Sequence, residues 1–246
     1  MISFVVWKWR GPDPGREFLS EHVNVLRAAI ARNCHQPHRF ICITDDSAGL
    51  RSDVEALPIK STRLDRVLAP RASTAPLARG GRQFPSCYRR LWNFSEEAAR
   101  WLGPRIVALD IDVVVCGALD PLLNRRADFV GWSEPRFGWR KIAGGAYMLR
   151  TGSHPEVWDS FDPLLSPAAA CARGLHGSDQ AWMSYLLFPP TETWSSADGI
   201  VKLGWLPSGS WQAPAGIRMA FTAGHTPPWH PKIQERYPWI RAHWRL

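Results

Sequence analysis

Cysteine is scarce and unpatterned: Cys34, Cys42, Cys87, Cys116 and Cys171 are the five in 246 residues. Their odd number, wide spacing and lack of any C-x-x-C pair indicate neither a disulfide framework nor a zinc site, and suit a reducing compartment. Long apolar runs are missing as well. The run at residues 2–7 is shorter than the core of a signal peptide, and no later span is long enough to cross a bilayer. A cytoplasmic protein is expected, peripheral at most to the inner face of a membrane. Acidic residues are outnumbered, 22 Asp and Glu against 30 Lys and Arg, for a net charge of +8. That favours anionic partners without choosing among nucleotide phosphates, nucleic acid and an acidic membrane. No internal repeat is visible. What the chain has in quantity is apolar surface, 45% of its residues, enough for the core of one α/β domain spanning residues 1–246.

The chain is organised around the stretch IVALDIDVVVCGALDPL, residues 106–122. Ile106 to Leu109 read as a strand covered on both faces; Asp110-Ile111-Asp112 then interrupts it before Val113, Val114 and Val115 resume. In an extended chain Asp110 and Asp112 project on one side, roughly 7 Å apart, with Ile111 turned into the core. Two hard anionic ligands with open positions suit Mg²⁺ or Mn²⁺, completed by water and diphosphate oxygens. An Asp-x-Asp without metal would repel a nucleic-acid backbone, so a nucleotide diphosphate is expected and nucleic acid is not. The competing reading of the same residues is a strand that ends in a solvated acidic turn.

Around this stretch the pattern alternates strands and helices. Residues 2–7, 39–44 and 54–59 read as strands, with a helix to about Asn33 marked by Phe18, His22, Val25, Leu26, Ala29 and Ile30. That order implies a parallel sheet, whose ligands bind beyond the carboxyl ends of its strands, where the loop after Trp7, the Asp45 turn and Asp110 would lie. Residues 61–83, rich in Arg, Pro, Ser and Gly, read as an active-site loop or a plain insertion. Helices are expected at 85–102, 156–165 and 178–187, strands at 129–132 and 144–150, and a docking helix at 231–246. Gly144 starts its strand with a small residue that lets a ligand approach the backbone. Ser178 or Asp179 stands where a helix start holds a carboxylate.

Five blocks in this order, YRRLWNF, IVALDIDVVV, AGGAYMLRTG, SDQAW and a C-terminal Phe-x-x-Gly-x-x-x-Pro-Trp, resemble the GT-A glycosyltransferases. Within those, the likeness is to the glycogenin and lipopolysaccharide galactosyltransferase group, family eight, and its bacterial relatives. The resemblance implies an α/β GT-A fold and transfer of a sugar from a nucleotide sugar, usually a UDP-sugar, with retention. It implies Mn²⁺ or Mg²⁺ on Asp110 and Asp112, with Ile111 between them at the donor. Arg90 matches a lysine that contacts the donor, Asp179 and Gln180 match the catalytic pair beside the transferred sugar, and Val6 and Trp7 border the nucleoside. A glycan, a lipid-linked saccharide or a protein is the implied acceptor.

This chain also departs from the pattern. Ala143 stands where the family has an asparagine, and Phe221 or Thr222, with Pro227, where it has a metal-binding histidine and a lysine. His225, after Gly224, is the candidate replacement metal ligand, and Lys232 or His230 the candidate phosphate contact. Trp132 or Trp139 is a candidate flank for the acceptor. The Trp and Arg cluster at the C-terminus is read as docking on the domain in preference to a membrane surface. Two rivals stand beside the transferase. One is a haloacid-dehalogenase-type phosphatase with Asp110 as nucleophile, disfavoured because no second acidic pair follows Asp112. The other is a non-catalytic nucleotide- or glycan-binding module. An asparagine at position 179 is expected to leave melting near normal while reducing turnover by about two orders of magnitude or more.

Overall fold

The computed structural model describes residues 1–10, 18–59, 85–138, 141–222 and 226–246. The loop expected at 61–83, together with Trp139, Gly224 and His225, lies outside the described residues. The chain opens with β1 (Ile2–Lys8), α1 (Ser20–Asn33), β2 (His38–Thr44) and β3 (Glu55–Pro58). β1 and β2 pair in parallel from Ile2 opposite His38 to Lys8 opposite Thr44, and β3 joins β2 in the same sense. Parallel neighbours need a crossover connection, and between β1 and β2 α1 supplies it.

Next come α2 (Glu96–Leu102), β4 (Arg105–Leu109), β5 (Val113–Val115), α3 (Asp120–Leu123), β6 (Phe129–Trp132) and β7 (Ala143–Arg150). They are followed by α4 (Glu156–Asp159), α5 (Ser166–Ala172), α6 (Asp179–Leu187), β8 (Glu192–Trp194), β9 (Ile200–Lys202), β10 (Met219–Phe221), α7 (Pro231–Arg236) and α8 (Ile240–His243). The larger sheet is seven-stranded, ordered β3-β2-β1-β4-β7-β6-β8, and the smaller is three-stranded, β5-β10-β9. The larger sheet is mixed, with β6 and β7 antiparallel, and mostly parallel as expected.

Three expected helices are broken, each by local chemistry. The helix expected at 85–102 is a 3-10 helix, Pro85–Phe94, followed by α2. Ser95 divides them: extended at φ −74° and ψ 153°, it accepts the Ala98 N–H on its hydroxyl and so caps α2. The helix expected at 156–165 stops after one turn. Pro163 has no N–H to continue it, and Asp162 Oδ1 takes the N–H groups of Leu164 and Leu165 at 2.7 and 2.9 Å. The docking helix expected at 231–246 is two short helices, α7 and α8, because Pro238 forces Tyr237 out of helical geometry.

Contacts within the chain gather into two compact units. The first comprises Met1–Pro58, Ala108–Arg126 and Trp194–Leu246; the second comprises Ile59–Val107 and Ala127–Thr193. In the first, Phe4, Val5 and Val6 of β1 are buried, as a strand covered on both faces requires, each contributing roughly 1.5–3 kcal/mol of burial. Its C-terminal segment packs Trp239, Ile240 and Trp244 with Val25 of α1, Val114 of β5 and Val201 of β9. Trp229 stacks on the His22 ring at 3.7 Å, and Arg32 donates to the carbonyls of His243 and Arg245 at 3.0 and 2.9 Å. In the second unit, Phe94 stacks on Tyr147 at 5.6 Å and Asn93 Nδ2 donates to the Tyr147 hydroxyl at 2.8 Å. Tyr88 packs on Phe161 at 4.7 Å. Among the described residues, no helix is long and apolar enough to cross a membrane.

Candidate functional site

The first unit carries the acidic turn. β4 ends at Leu109, and the chain bends through Asp110-Ile111-Asp112 into β5, which pairs antiparallel with β10 in the small sheet. The extended arrangement expected for the two acids is therefore corrected: Ile111 and Asp112 lie in a turn, because the flanking strands belong to different sheets. Ile111 is buried and both acids are half-buried. Asp112 Oδ2 accepts from the Thr222 hydroxyl at 3.2 Å, which steadies that carboxylate next to the end of β10. Both carboxylates are hard oxygen donors, partly accessible and one oriented by a neutral donor, the ligand type that Mg²⁺ or Mn²⁺ would take. Among the described residues, no group of three or more His, Cys, Asp or Glu is gathered to hold a metal ion. His225, expected as a third ligand, lies outside them.

Also in the first unit are the carboxyl ends of β1 and β2. Val6 is fully buried and pairs with Cys42, and Trp7 is buried opposite Ile43. Lys8 is buried too, its ammonium donating to the Asp46 carbonyl at 2.5 Å and the Thr44 hydroxyl at 3.4 Å. Asp45 is exposed and accepts the Arg10 N–H at 3.0 Å, while Arg10 Nη2 reaches Asp46 Oδ2 at 3.0 Å. The Ala48 N–H and the Arg10 guanidinium hold Asp46 below the usual carboxylate range.

A second cluster forms within the other unit. Arg90, in the 3-10 helix, grips Asp179 with both arms, Nε to Oδ2 at 2.7 Å and Nη2 to Oδ1 at 3.0 Å. The Asp179 side chain is only 1% exposed and that of Arg90 15%. Asp179 opens α6, and the Ser178 hydroxyl donates to Asp179 Oδ1 at 3.1 Å instead of capping the helix. Gln180 Oε1 accepts the Gly144 N–H at 3.4 Å. Arg90, Gly144, Asp179 and Gln180 are thus in mutual contact, although the sequence scatters them over ninety residues. Gly144 is small for a reason internal to the protein: a Cβ there would lie 3.2 Å from both Arg90 Nη2 and Gln180 Cβ. Gly177 has φ +119°, and a Cβ on it would come within 2.5 Å of Gln180 Nε2. Burial, with the Asp179 charge second, pushes the Tyr88 phenol up and keeps it neutral.

No family model matches this sequence, and no curated protein is similar to it. The structure is more informative. It is similar to the galactosyltransferase LgtC in complex with donor and acceptor sugar analogues, at TM-score 0.60 and 13% identity over 98% of this chain and 95% of that one. It also resembles an active-site mutant of LgtC, at TM-score 0.58 and 13% identity with the same coverage. The glycosyltransferase GlyE of Streptococcus pneumoniae TIGR4 matches at TM-score 0.57 and 10% identity over 94% of this chain and 57% of that one. This chain has the GT-A fold. Identities this low establish the architecture and leave the chemistry to the residues.

Within the GT-A fold, two residues that sequence reasoning left aside stand out. Lys8 closes β1 directly after the apolar run Phe4-Val5-Val6-Trp7, and a lysine ending such a run was the available signal. Ser184 sits among Met183, Tyr185 and Leu187 in α6, a small polar residue on a buried helix face. Lys232 lies exposed in the first turn of α7, where its N–H donates to His230 Nδ1 at 3.2 Å; His230 serves as the helix cap. Trp132 is buried against Phe137, with ring centres 5.1 Å apart.

Proposed function

We propose that this chain is a metal-dependent glycosyltransferase that moves a sugar from a UDP-sugar to a glycan, lipid-linked or protein acceptor, with retention, in the cytoplasm. The observation that carries the reading is the Asp110-Ile111-Asp112 turn at the end of β4, in a chain with the fold of galactosyltransferase LgtC. Both carboxylates are half-accessible where β4 gives way to β5, so a divalent cation arriving with a nucleotide diphosphate could reach them. Held by Asp110 and Asp112, Mn²⁺ or Mg²⁺ would offset the negative charge that builds on the departing nucleotide diphosphate.

The chain's own groups have separable tasks. Asp112 presents an oxygen whose direction the Thr222 hydroxyl fixes. Asp179, enclosed and locked by Arg90 and Ser178, fixes the Arg90 guanidinium at the start of α6, and Gln180 lies beside it with its amide held by Gly144. Because these groups are fixed before any ligand arrives, they need not reorganise as positive charge develops on the anomeric carbon. Lys8 closes β1 with a buried positive charge that favours an anionic or carbonyl-bearing nucleotide nearby.

The decisive experiment incubates the protein with a panel of nucleotide sugars and Mn²⁺ and measures free nucleotide. UDP release from one UDP-sugar is expected, lost on chelation and lost in Asp110→Asn and Asp112→Asn variants that melt normally. Metal-independent release, or unchanged UDP binding in both variants, would remove the assignment. Mass spectrometry of Asp110 gives the other check: an aspartyl phosphate there would mean the phosphatase reading was right. UDP binding without turnover on any donor would leave a binding module.

A further inference from the structure

Ser184 has a property that its helix does not need. It lies inside α6, only 4% exposed, where alanine would be the better helix former. Its hydroxyl donates to the Gln180 carbonyl one turn back at 2.6 Å and accepts the buried N–H of Ile142 at 3.0 Å. The first bond is local and mildly unfavourable to a helix. The second is not local, and it satisfies the N–H of the residue just before β7, which would otherwise be buried without an acceptor. Two residues further on, Gly144 meets Gln180 and the Arg90–Asp179 pair. One hydroxyl therefore ties the start of β7 to the turn of α6 that carries Gln180.

We infer that Ser184 is a positioning residue. It fixes how closely the backbone at Ile142–Gly144 approaches α6, and so sets the space in which Arg90, Asp179 and Gln180 converge. The same serine is bonded to the main chain of Gln180 and, through Ile142, to the strand whose Gly144 holds the Gln180 side chain. Loss of the hydroxyl releases both restraints on Gln180 together. The kinetic part of this inference rests on the glycosyltransferase reading; the structural part does not.

The test uses Ser184→Ala in the full chain, with two measurements. Amide hydrogen exchange comes first: in the wild type, Ile142 and Gly144 are expected to be protected together with the amides of α6, and in the variant to exchange at least about tenfold faster. Fast exchange at Ile142 in the wild type, or unchanged exchange at Gly144 in the variant, overturns the inference even if no donor is ever turned over or the variant is too unstable to assay. The second measurement is turnover of the nucleotide sugar found active with the wild type. kcat is expected to fall on the order of 10- to 100-fold while KM and UDP affinity stay within twofold, since the binding residues remain but the reacting groups are misplaced. Equal losses in KM and melting temperature with kcat retained would reduce Ser184 to a stabilising residue.

Discussion

A carboxylate that is 1% exposed and held by both arms of an arginine cannot be exchanged for an amide without consequence. The sequence suggests that Asp179→Asn leaves folding intact, because asparagine caps a helix nearly as well as aspartate. The structure gives Ser178 the cap position and commits Asp179 to Arg90, so the substitution leaves a guanidinium without its counter-charge. Asp179→Asn is expected to cost about 3 kcal/mol, the scale of removing one partner from a buried pair, read as a lower urea midpoint at unchanged slope. A loss within 0.5 kcal/mol, about the range of an ordinary surface change, would mean the pair contributes nothing. Thr222 gives a contrasting case. Its hydroxyl steadies Asp112 from the end of β10, and that carboxylate is half-buried where Asp179 is almost fully enclosed. Thr222→Val should leave melting within a few degrees and weaken Mn²⁺ binding roughly 10- to 100-fold by titration calorimetry, as loss of an orienting partner does at metal sites. Affinity equal to wild type would show that Asp112 is oriented without it.

Where helices and strands begin is decided here by single polar side chains. Ser95 ends a 3-10 helix and starts α2 with Glu96 and Glu97 in its first turn, a stop and start written plainly in Ser-Glu-Glu yet hidden by the helical spacing of Leu91, Phe94, Ala98 and Leu102. Ser95→Ala is expected to cost about 1 kcal/mol, seen by chemical denaturation, with early hydrogen exchange confined to α2. The α4 to α5 break was legible in Asp162-Pro163 for the same kind of reason. The Arg90–Asp179 contact was not, since nothing in either segment says that a 3-10 turn and a helix start will meet. Gly144 shows how a correct choice of residue can carry an incomplete reason. Its smallness reads from sequence as room for a ligand, whereas in the structure the room is taken by Arg90 and Gln180. Gly144→Ala should therefore strain the protein without any ligand present, by roughly 1–3 kcal/mol as overpacking does, and destabilisation undetectable by urea titration would contradict the packing.

Across the whole chain, what could be read in advance is what periodicity and order encode: the parallel β1-β2-β3 set, the interrupted strand at Asp110 and the apolar tail. Short strands were harder. β8, β9 and β10 have three residues each, too few for alternation to register; β9 and β10 exist because β5 and the tail offer them an edge and a core, and β8 because β6 offers it an edge of the larger sheet. That tail also ties stability to pH. His22 lies under Trp229, and His243 packs edge-on to Trp239 at 5.9 Å; burial lowers the pKa of both, with Arg32 and Arg245 adding to the effect at His243. A histidine depressed in the fold stays neutral while its unfolded counterpart takes up a proton below its ordinary value of 6.5. The unfolded state then binds more protons, so stability is complete above that pH and is lost as pH falls toward the folded values. The acids Asp46, Asp53 and Asp128 are held low by the Ala48 N–H with Arg10, by Arg51 and by Arg150 respectively, and their contribution disappears only below the ordinary carboxylate value of 3.8. Melting temperature is thus expected to begin falling just below pH 6.5, before Asp46, Asp53 and Asp128 lose their contribution. His22→Gln keeps a side-chain acceptor for the Leu19 N–H, which His22 Nδ1 takes at 3.0 Å, but cannot be protonated. It should flatten the decline between pH 6.5 and pH 5 relative to wild type while leaving the fall below pH 4 unchanged. A wild-type melting temperature that is level from pH 7 to pH 5 would show that the docked tail does not sense its histidines.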